Sequence, residues 1–224
     1  MIIETTGFLG SDALRFLRGL YEECPRADGK ETAGSEIGKF KENVELELGE
    51  RAQAVKEAIL TACNEAPVLG YAVLPRMVTR PILSLYEPGM HYGSHMDSAI
   101  GYDDGRLYRS DISCTVFLDD PSAYDGGELL IESDTSSQRF KLPAGSAVFY
   151  STLYDHEVLE VSRGVRRACV FWIESLVRDP QKRRILFDIA QLGEWIGQRE
   201  PVDSDIRRTA VRARENLYRM WLEG

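Results

Sequence analysis

The middle of the chain, residues 81–177, carries the pattern that most restricts the fold. Short apolar runs follow one another here, and turn signals such as Glu87-Pro88-Gly89 and Pro143-Ala144-Gly145 separate them. Many short strands at this spacing are typical of a β-sandwich or barrel. The predicted strands are Ile82–Tyr86, Ile112–Leu118, Glu128–Ile131, Gln138–Leu142, Ser146–Tyr150, Glu157–Val161 and Val165–Ile173.

Helical patterns flank this β zone on both sides. The segment before it looks mostly helical, with Ser11 as a capping residue and a further helix expected over roughly 51–64. After the β zone, Asp179 followed by Pro180 is a favourable helix start, and Ser204 can cap a last helix. The sequence therefore predicts three regions: an N-terminal helical flank over 1–80 packed on the core, a β core over 81–177, and a C-terminal helical extension over 178–224.

The charge balance restricts the partners of the chain. Its formal net charge is −9, from 27 Lys and Arg against 36 Asp and Glu. Broad binding to nucleic acid or to an anionic membrane needs a basic surface, so we expect neither partner. The four cysteines lie far apart and form no C-x-x-C pair, and neither a signal peptide nor a membrane span is recognisable. These features favour reduced thiols and a cytoplasmic location.

The three histidines limit where a metal site can form. In extended backbone His95 and Asp97 point the same way, because side chains two residues apart share a face. His156, near the far end of the β zone, can add a second imidazole. Two histidines and one carboxylate form the facial triad of non-haem Fe(II) oxygenases. An H-x-D pattern alone is a weak signal, but His156 at the opposite end of the β zone strengthens it.

His91 offers a competing pair with His95. Their spacing of four residues would suit zinc if both lay on one helix. Gly89 and Gly93 make a helix improbable there. We therefore expect His91 to be a polar loop residue, either beside the metal ligands or exposed to solvent, rather than a ligand itself.

Two adjacent arginines, Arg166 and Arg167, follow His156 and are candidates for binding a carboxylate. If Ser162–Gly164 forms a three-residue hairpin loop, residues 156 and 170 pair, and Arg166 shares the face of His156. A two-residue loop selects Arg167 instead, and the alternative for both is a solvated surface charge.

Three tyrosines are candidates near the same site. Tyr86 ends the strand that precedes the H-x-D motif, and its hydroxyl can reach the same carboxylate ligand. A core aromatic ring with a hydrated tip is an equally good interpretation. Tyr92 and Tyr150 are weaker candidates of the same kind.

The run from Leu85 to Asp97 resembles the iron-binding segment of the prolyl 4-hydroxylase-like Fe(II)/2-oxoglutarate dioxygenases. More closely, the chain resembles the bacterial PKHD-type hydroxylases over nearly its whole length. Residues 87–90 differ from the more polar loop typical of that family, which leaves the primary substrate open. The segments that carry the resemblance, besides 85–97, are 111–118, 124–131, 141–145, 156–166, 171–175 and 177–183.

The resemblance implies an α+β fold with a mainly β core: a double-stranded β-helix, the cupin-like jelly-roll, flanked by N- and C-terminal helices. It implies Fe(II) held by His95, Asp97 and His156, and 2-oxoglutarate held by Arg166, with ascorbate as an auxiliary reductant. The implied activity is O2-dependent hydroxylation of a substrate, with 2-oxoglutarate decarboxylated to succinate. Related halogenases lack the carboxylate at the position of Asp97, so its presence favours hydroxylation.

Two other functions compete with this one. A non-catalytic, cupin-like protein that senses a metal or ligand would use the same histidines without producing succinate. A zinc hydrolase is the other alternative, although no general base is evident beside the triad. The primary substrate can be a small molecule or a peptidyl group, and the C-terminal helices can mediate a homodimer.

Overall fold

The computed structural model describes residues 1–32, 37–133 and 135–222. The strands are β1 (Ile2–Thr5), β2 (Arg26–Asp28), β3 (Lys41–Glu42), β4 (Val44–Leu46), β5 (Pro75–Val78), β6 (Ile82–Tyr86), β7 (His91–His95), β8 (Ile100–Asp103), β9 (Arg106–Arg109), β10 (Ile112–Phe117), β11 (Tyr124–Gly126), β12 (Leu129–Ser133), β13 (Ser136–Phe140), β14 (Ala147–Ser151), β15 (Asp155–Val158), β16 (Val161–Gly164) and β17 (Arg166–Ser175). The α-helices are α1 (Ser11–Glu23), α2 (Ala52–Glu65), α3 (Pro67–Ala72), α4 (Pro180–Gly197) and α5 (Asp205–Trp221).

Two antiparallel sheets form the core. The larger sheet has the strand order β1-β14-β10-β17-β6-β4-β2, with β5 added beside β17, and the smaller sheet has the order β13-β12-β15-β7-β3. A buried apolar cluster joins the two sheets, with Phe117 and Tyr150 from the larger one and Leu129 and Ile131 from the smaller one. This arrangement confirms the predicted jelly-roll core with helices at both ends.

Strand alternation divides the larger sheet into two faces. On β17, Cys169 and Phe171 join the apolar cluster that includes α1, α2 and α3. The alternate residues Arg166 and Val170 face the space between the sheets and line a cavity there. Tyr21 of α1 fixes this packing, because its hydroxyl lies 2.9 Å from the Ser84 carbonyl oxygen and 3.1 Å from that of Ala168.

The C-terminal helices begin where the sequence predicts. The Asp179 carboxylate accepts hydrogen bonds from two backbone N–H groups at the start of α4, and the Ser204 hydroxyl accepts one at the start of α5. The expectation for Ser11 is wrong, because α1 begins at Ser11 itself and no side chain caps it. Across the part of the chain that the structure describes, no helix has an apolar stretch long enough to cross a membrane.

The strands differ from the sequence analysis in two further respects. The segment before residue 81 contributes β1–β5 to the sheets as well as helices; the region boundaries at 80 and 177 remain predictions. The expected hairpin over 162–164 is also wrong, because these residues continue β16, which pairs with β11. His156 therefore lies opposite Ile131 and His95 in the smaller sheet, not opposite Val170.

Core packing between α1–α3 and the larger sheet predicts a large cost for Leu83→Ala. The Leu83 side chain is fully buried in this cluster, so the substitution should lower the free energy of unfolding by about 2–5 kcal/mol. Leu153→Ala, in the turn between β14 and β15, is the matched control, because Leu153 is exposed, and its effect should stay within about 0.5 kcal/mol. Urea unfolding, monitored by circular dichroism, measures the free energy of unfolding of both variants. Equal decreases in the two variants would contradict the packing of Leu83 in this core.

Candidate active site

The pairing of β7 with β15 brings two histidines together. His95, the last residue of β7, lies directly opposite His156 of β15, and their ring centroids are 4.3 Å apart. The next pair is Val158 with Tyr92, so two residues of β7 lie between the two pairs, where β15 has only one. This β-bulge reverses the alternation of side chains, and Tyr92 therefore shares a face with His95.

Asp97 follows β7 and completes a group of three possible metal ligands. One ligand atom each from His95, Asp97 and His156 lies within 4.8 Å of the other two. The Asp97 Oδ2 atom is 3.7 Å from His156 Nε2. Ser113 donates its hydroxyl hydrogen to the same Oδ2 over 2.5 Å, which orients the carboxylate. The group was expected from the H-x-D motif and His156; the supporting Ser113 was not.

Backbone carbonyls set the tautomer of both imidazoles. His95 Nδ1 lies 2.8 Å from the Gly93 carbonyl oxygen, and His156 Nδ1 lies 3.2 Å from that of Tyr154. A carbonyl oxygen only accepts, so each neutral ring carries its proton on Nδ1 and keeps the Nε2 lone pair for a metal. This donor set fits Fe(II), whose facial triad uses two imidazoles and one carboxylate.

The surroundings of His95 keep its ring neutral. Burial, followed by the neighbouring His156 imidazole, lowers the pKa of His95 to about 4. The Tyr92 ring stacks on the His95 ring, with the centroids 3.8 Å apart. Both effects favour a neutral imidazole held in one orientation at physiological pH.

A cavity of about 580 Å³ connects this group with Arg166. The Arg166 side chain is fully buried, and its guanidinium carbon lies 5.1 Å from the centre of the Tyr86 ring. Its Nε and Nη2 atoms have no hydrogen-bond partner among the described residues. A buried cation with unsatisfied donors fits an anionic ligand, and a carboxylate can occupy two such donors at once.

The neighbours of Arg166 explain how it reaches this position. Gly127 has a φ of +66°, and a Cβ there would lie 3.0 Å from Arg166 Cδ, so glycine makes room for the side chain. Arg167 points to the opposite face of β17, where its backbone N–H and its guanidinium both contact the Asp119 carboxylate. The structure therefore separates the two candidate arginines: Arg166 lines the cavity and Arg167 does not.

Tyr86 and Tyr150 also line the cavity, together with Tyr92. Tyr86 lies opposite Arg166 in the larger sheet, and burial raises its pKa to about 12 although Arg166 opposes the shift. Its hydroxyl therefore remains a hydrogen-bond donor at neutral pH. The Tyr150 ring packs edge-on against His156 at a centroid distance of 5.0 Å.

His91 differs from its expected position. It begins β7 and pairs with Glu42 of β3, so it lies in a strand rather than a loop. It is outside the group of possible metal ligands and does not line the cavity. One wall of the cavity was not predicted from the sequence, because no motif indicated it. This wall is a polar stripe formed by Lys41, Asn43 and Glu45.

Solved structures share this fold. A prolyl hydroxylase from Trichoplax adhaerens, in complex with a hypoxia inducible factor peptide fragment, aligns with 83% of this chain and 86% of its own at a TM-score of 0.53 and 15% identity. HygX from Streptomyces hygroscopicus, with nickel, 2-oxoglutarate and hygromycin B bound, aligns with 78% and 82% at a TM-score of 0.52 and 14% identity. At these identities the likeness establishes the fold.

Sequence comparison establishes the family. Residues 81–174 match the sequence model of the 2OG-Fe(II) oxygenase superfamily. A PKHD-type hydroxylase from Caulobacter sp. (strain K31) is 38% identical over 230 aligned residues, with 100% of both chains covered. The chain therefore belongs to the PKHD-type hydroxylases and is a non-haem, Fe(II)/2-oxoglutarate-dependent hydroxylase.

Proposed function

We propose that His95, Asp97 and His156 hold the catalytic iron of this hydroxylase. The observation that carries the proposal is their convergence: three ligand atoms from two paired elements lie within 4.8 Å of one another. Both imidazoles present Nε2, because their Nδ1 atoms face backbone carbonyls. The presence of a carboxylate at Asp97 favours hydroxylation over halogenation, as its family resemblance implies.

Arg166 is the proposed partner of the distal carboxylate of 2-oxoglutarate. Its two unsatisfied guanidinium donors are buried in the same cavity as the triad, and they supply the charge that a dicarboxylate needs. The Tyr86 hydroxyl, kept protonated by burial, is a second donor to this carboxylate. Apolar residues such as Leu129 and Val158 line the cavity as well and limit access of water to the two bound groups.

When bound, iron and 2-oxoglutarate supply the oxidation: O2 and 2-oxoglutarate are consumed, succinate and CO2 are released, and a substrate C–H becomes C–OH. The residues of the chain hold the proposed metal ligands in position and supply the charge that binds the co-substrate. Ser113 orients the Asp97 carboxylate, Tyr92 stacks on His95, and Tyr150 packs against His156. These three residues are positioning residues, because each acts through a proposed ligand.

The proposal extends to the class of substrate, the auxiliary reductant and the cellular location. The related folds include one with a peptide fragment bound and one with hygromycin B bound, so both peptidyl and small-molecule substrates suit this architecture. Ascorbate as an auxiliary reductant and a cytoplasmic location follow from the family likeness and the reduced cysteines. A homodimer through α4 and α5 is compatible with their exposed apolar residues, among them Leu192 and Trp195.

Removal of one triad histidine tests the iron site. His156→Ala should abolish the visible charge-transfer band that forms when Fe(II) and 2-oxoglutarate are added anaerobically, because the metal loses a ligand. His91→Ala is the matched control and should retain the band, since His91 does not line the cavity. Loss of the band in the His91 variant alone would reject the ligand assignment.

Replacement of each of the two arginines by alanine tests the co-substrate site. Arg166→Ala should weaken 2-oxoglutarate binding by about 10–100-fold, because charge-assisted hydrogen bonds are lost from a buried site. Arg167→Ala should leave the affinity within about threefold, although it should lower stability through its contact with Asp119. Titration of the charge-transfer band gives both affinities; greater weakening in the Arg167 variant would contradict the assignment.

The lowered pKa of His95 predicts a pH dependence of stability in the metal-free protein. The unfolded chain protonates His95 as the pH falls through about 6.5, whereas the folded chain does so only near 4. Stability is therefore lost across this window, with His95 contributing on the order of 1 kcal/mol between about pH 7 and 5. Urea unfolding should show a smaller loss for His95→Gln than for wild type; identical losses would refute this origin.

A further inference from the structure

A stripe of polar side chains forms one wall of the active-site cavity. The chain passes from β3, which pairs with β7, to β4, which pairs with β6, and so bridges the two sheets. Alternate residues along this bridge, Lys41, Asn43 and Glu45, are each only 5% exposed and line the cavity. This polar stripe extends from the strand beside Tyr92 to the strand that ends in Tyr86.

The charges within the polar stripe compensate each other. Lys41 Nζ lies 2.5 Å from Glu45 Oε1, so the two charged side chains that flank Asn43 form a buried ion pair. Lys41 also lies over the Tyr92 ring, 5.1 Å from its centre. The wall therefore carries no net charge, in contrast to the cationic end of the cavity at Arg166, and it favours a neutral polar ligand group.

Asn43 is the member of the polar stripe whose hydrogen-bonding capacity is unused. Within residues 1–32, 37–133 and 135–222, neither Nδ2 nor Oδ1 of its buried amide has a hydrogen-bond partner. The amide lowers the pKa of Tyr86, so it lies beside that phenol, but the distance and angle between them fall short of a hydrogen bond. Its backbone is fixed, since Gly29 N–H donates to the Asn43 carbonyl oxygen over 3.0 Å. A buried amide left this way is costly unless a ligand satisfies it.

The chemistry of 2-oxoglutarate does not match this amide. The ionised co-substrate carries only acceptor oxygens, so it can satisfy the Nδ2 donors of Asn43 and never the Oδ1 acceptor. A group with an N–H donor beside a carbonyl acceptor satisfies both atoms at once, through two parallel hydrogen bonds in one plane. Primary carboxamides and lactams present both on one edge and can form a paired hydrogen bond with the asparagine side chain.

We infer that the polar stripe, through Asn43, recognises a neutral carboxamide or lactam group of the primary substrate. This inference rests on the proposed function, because it takes the cavity to hold iron and 2-oxoglutarate as assigned above. Asn43 is then a specificity-determining residue. It binds a group of the primary substrate, while Arg166 is the residue assigned above to the co-substrate.

Binding of two ring compounds of similar shape tests this inference. The probes are 2-piperidone, a lactam, and δ-valerolactone, in which an oxygen replaces the N–H. Saturation-transfer NMR would measure their dissociation constants with the wild-type protein, both metal-free and loaded anaerobically with Fe(II) and 2-oxoglutarate. The lactam should bind about tenfold more tightly, because the lactone leaves the Asn43 Oδ1 atom unsatisfied. Equal affinities, or no saturable lactam binding, would overturn the inference.

Two variants test whether Asn43 causes the preference for the lactam over the lactone. Asn43→Ala should bring the lactam-to-lactone ratio to about one, whereas Asn64→Ala, at an exposed position on α2, should leave it unchanged. The affinity for 2-oxoglutarate should stay within about threefold in both variants. A larger loss of 2-oxoglutarate affinity in Asn43→Ala would overturn the inference. It would mean that the Asn43 amide binds the co-substrate or orients Tyr86 toward it.

The wild-type ratio does not depend on whether Asn43→Ala folds, and unfolding of that variant is detected by circular dichroism. If the Asn43 variant folds and keeps the wild-type ratio, the inference fails. A failure of the proposed function has a different signature: the wild-type protein would form no charge-transfer band with Fe(II) and 2-oxoglutarate. Discrimination between the probes by the metal-free protein is measured independently of that band.

Discussion

The antiparallel pairing of β7 with β15 is the constraint on which the site depends. It sets His95 opposite His156, and the β-bulge after Tyr92 turns the Tyr92 ring onto the same face. Backbone hydrogen bonds thus fix two imidazoles side by side, and a serine hydroxyl fixes the carboxylate beside them. Sheet register builds this geometry into the chain itself, so the groups proposed to bind iron are already ordered.

Much of this architecture could be predicted from the sequence, because its signals are local. The strand Ile82–Tyr86 has the predicted bounds, and most other predicted strands of the β zone differ by one to three residues at their ends. Asp179 and Ser204 cap helices as expected, since a capping side chain contacts backbone only two or three residues away. The proximity of His95 and His156 followed from their positions at opposite ends of a β zone that closes on itself.

The sequence reasoning was wrong where long-range pairing decided the outcome. Arg166 lines the cavity as expected, but the hairpin used to argue for it does not exist, because β15 and β17 belong to different sheets. The strands before residue 81 were missed because they are two to four residues long and gain their stability from neighbours distant in sequence. The polar stripe was missed for the same reason: Lys41, Asn43 and Glu45 look like surface residues until β6 and β7 flank them.

The position of the polar stripe in the chain has a consequence for how such an enzyme diversifies. The residues proposed for iron and 2-oxoglutarate all lie within 81–174, the segment that matches the oxygenase superfamily. The polar stripe lies outside that segment, on a separate N-terminal piece of chain that crosses from one sheet to the other. With the roles proposed above, oxygen activation and choice of substrate would be encoded in different stretches of the gene, and mutation in one stretch could change the substrate while leaving the iron chemistry intact.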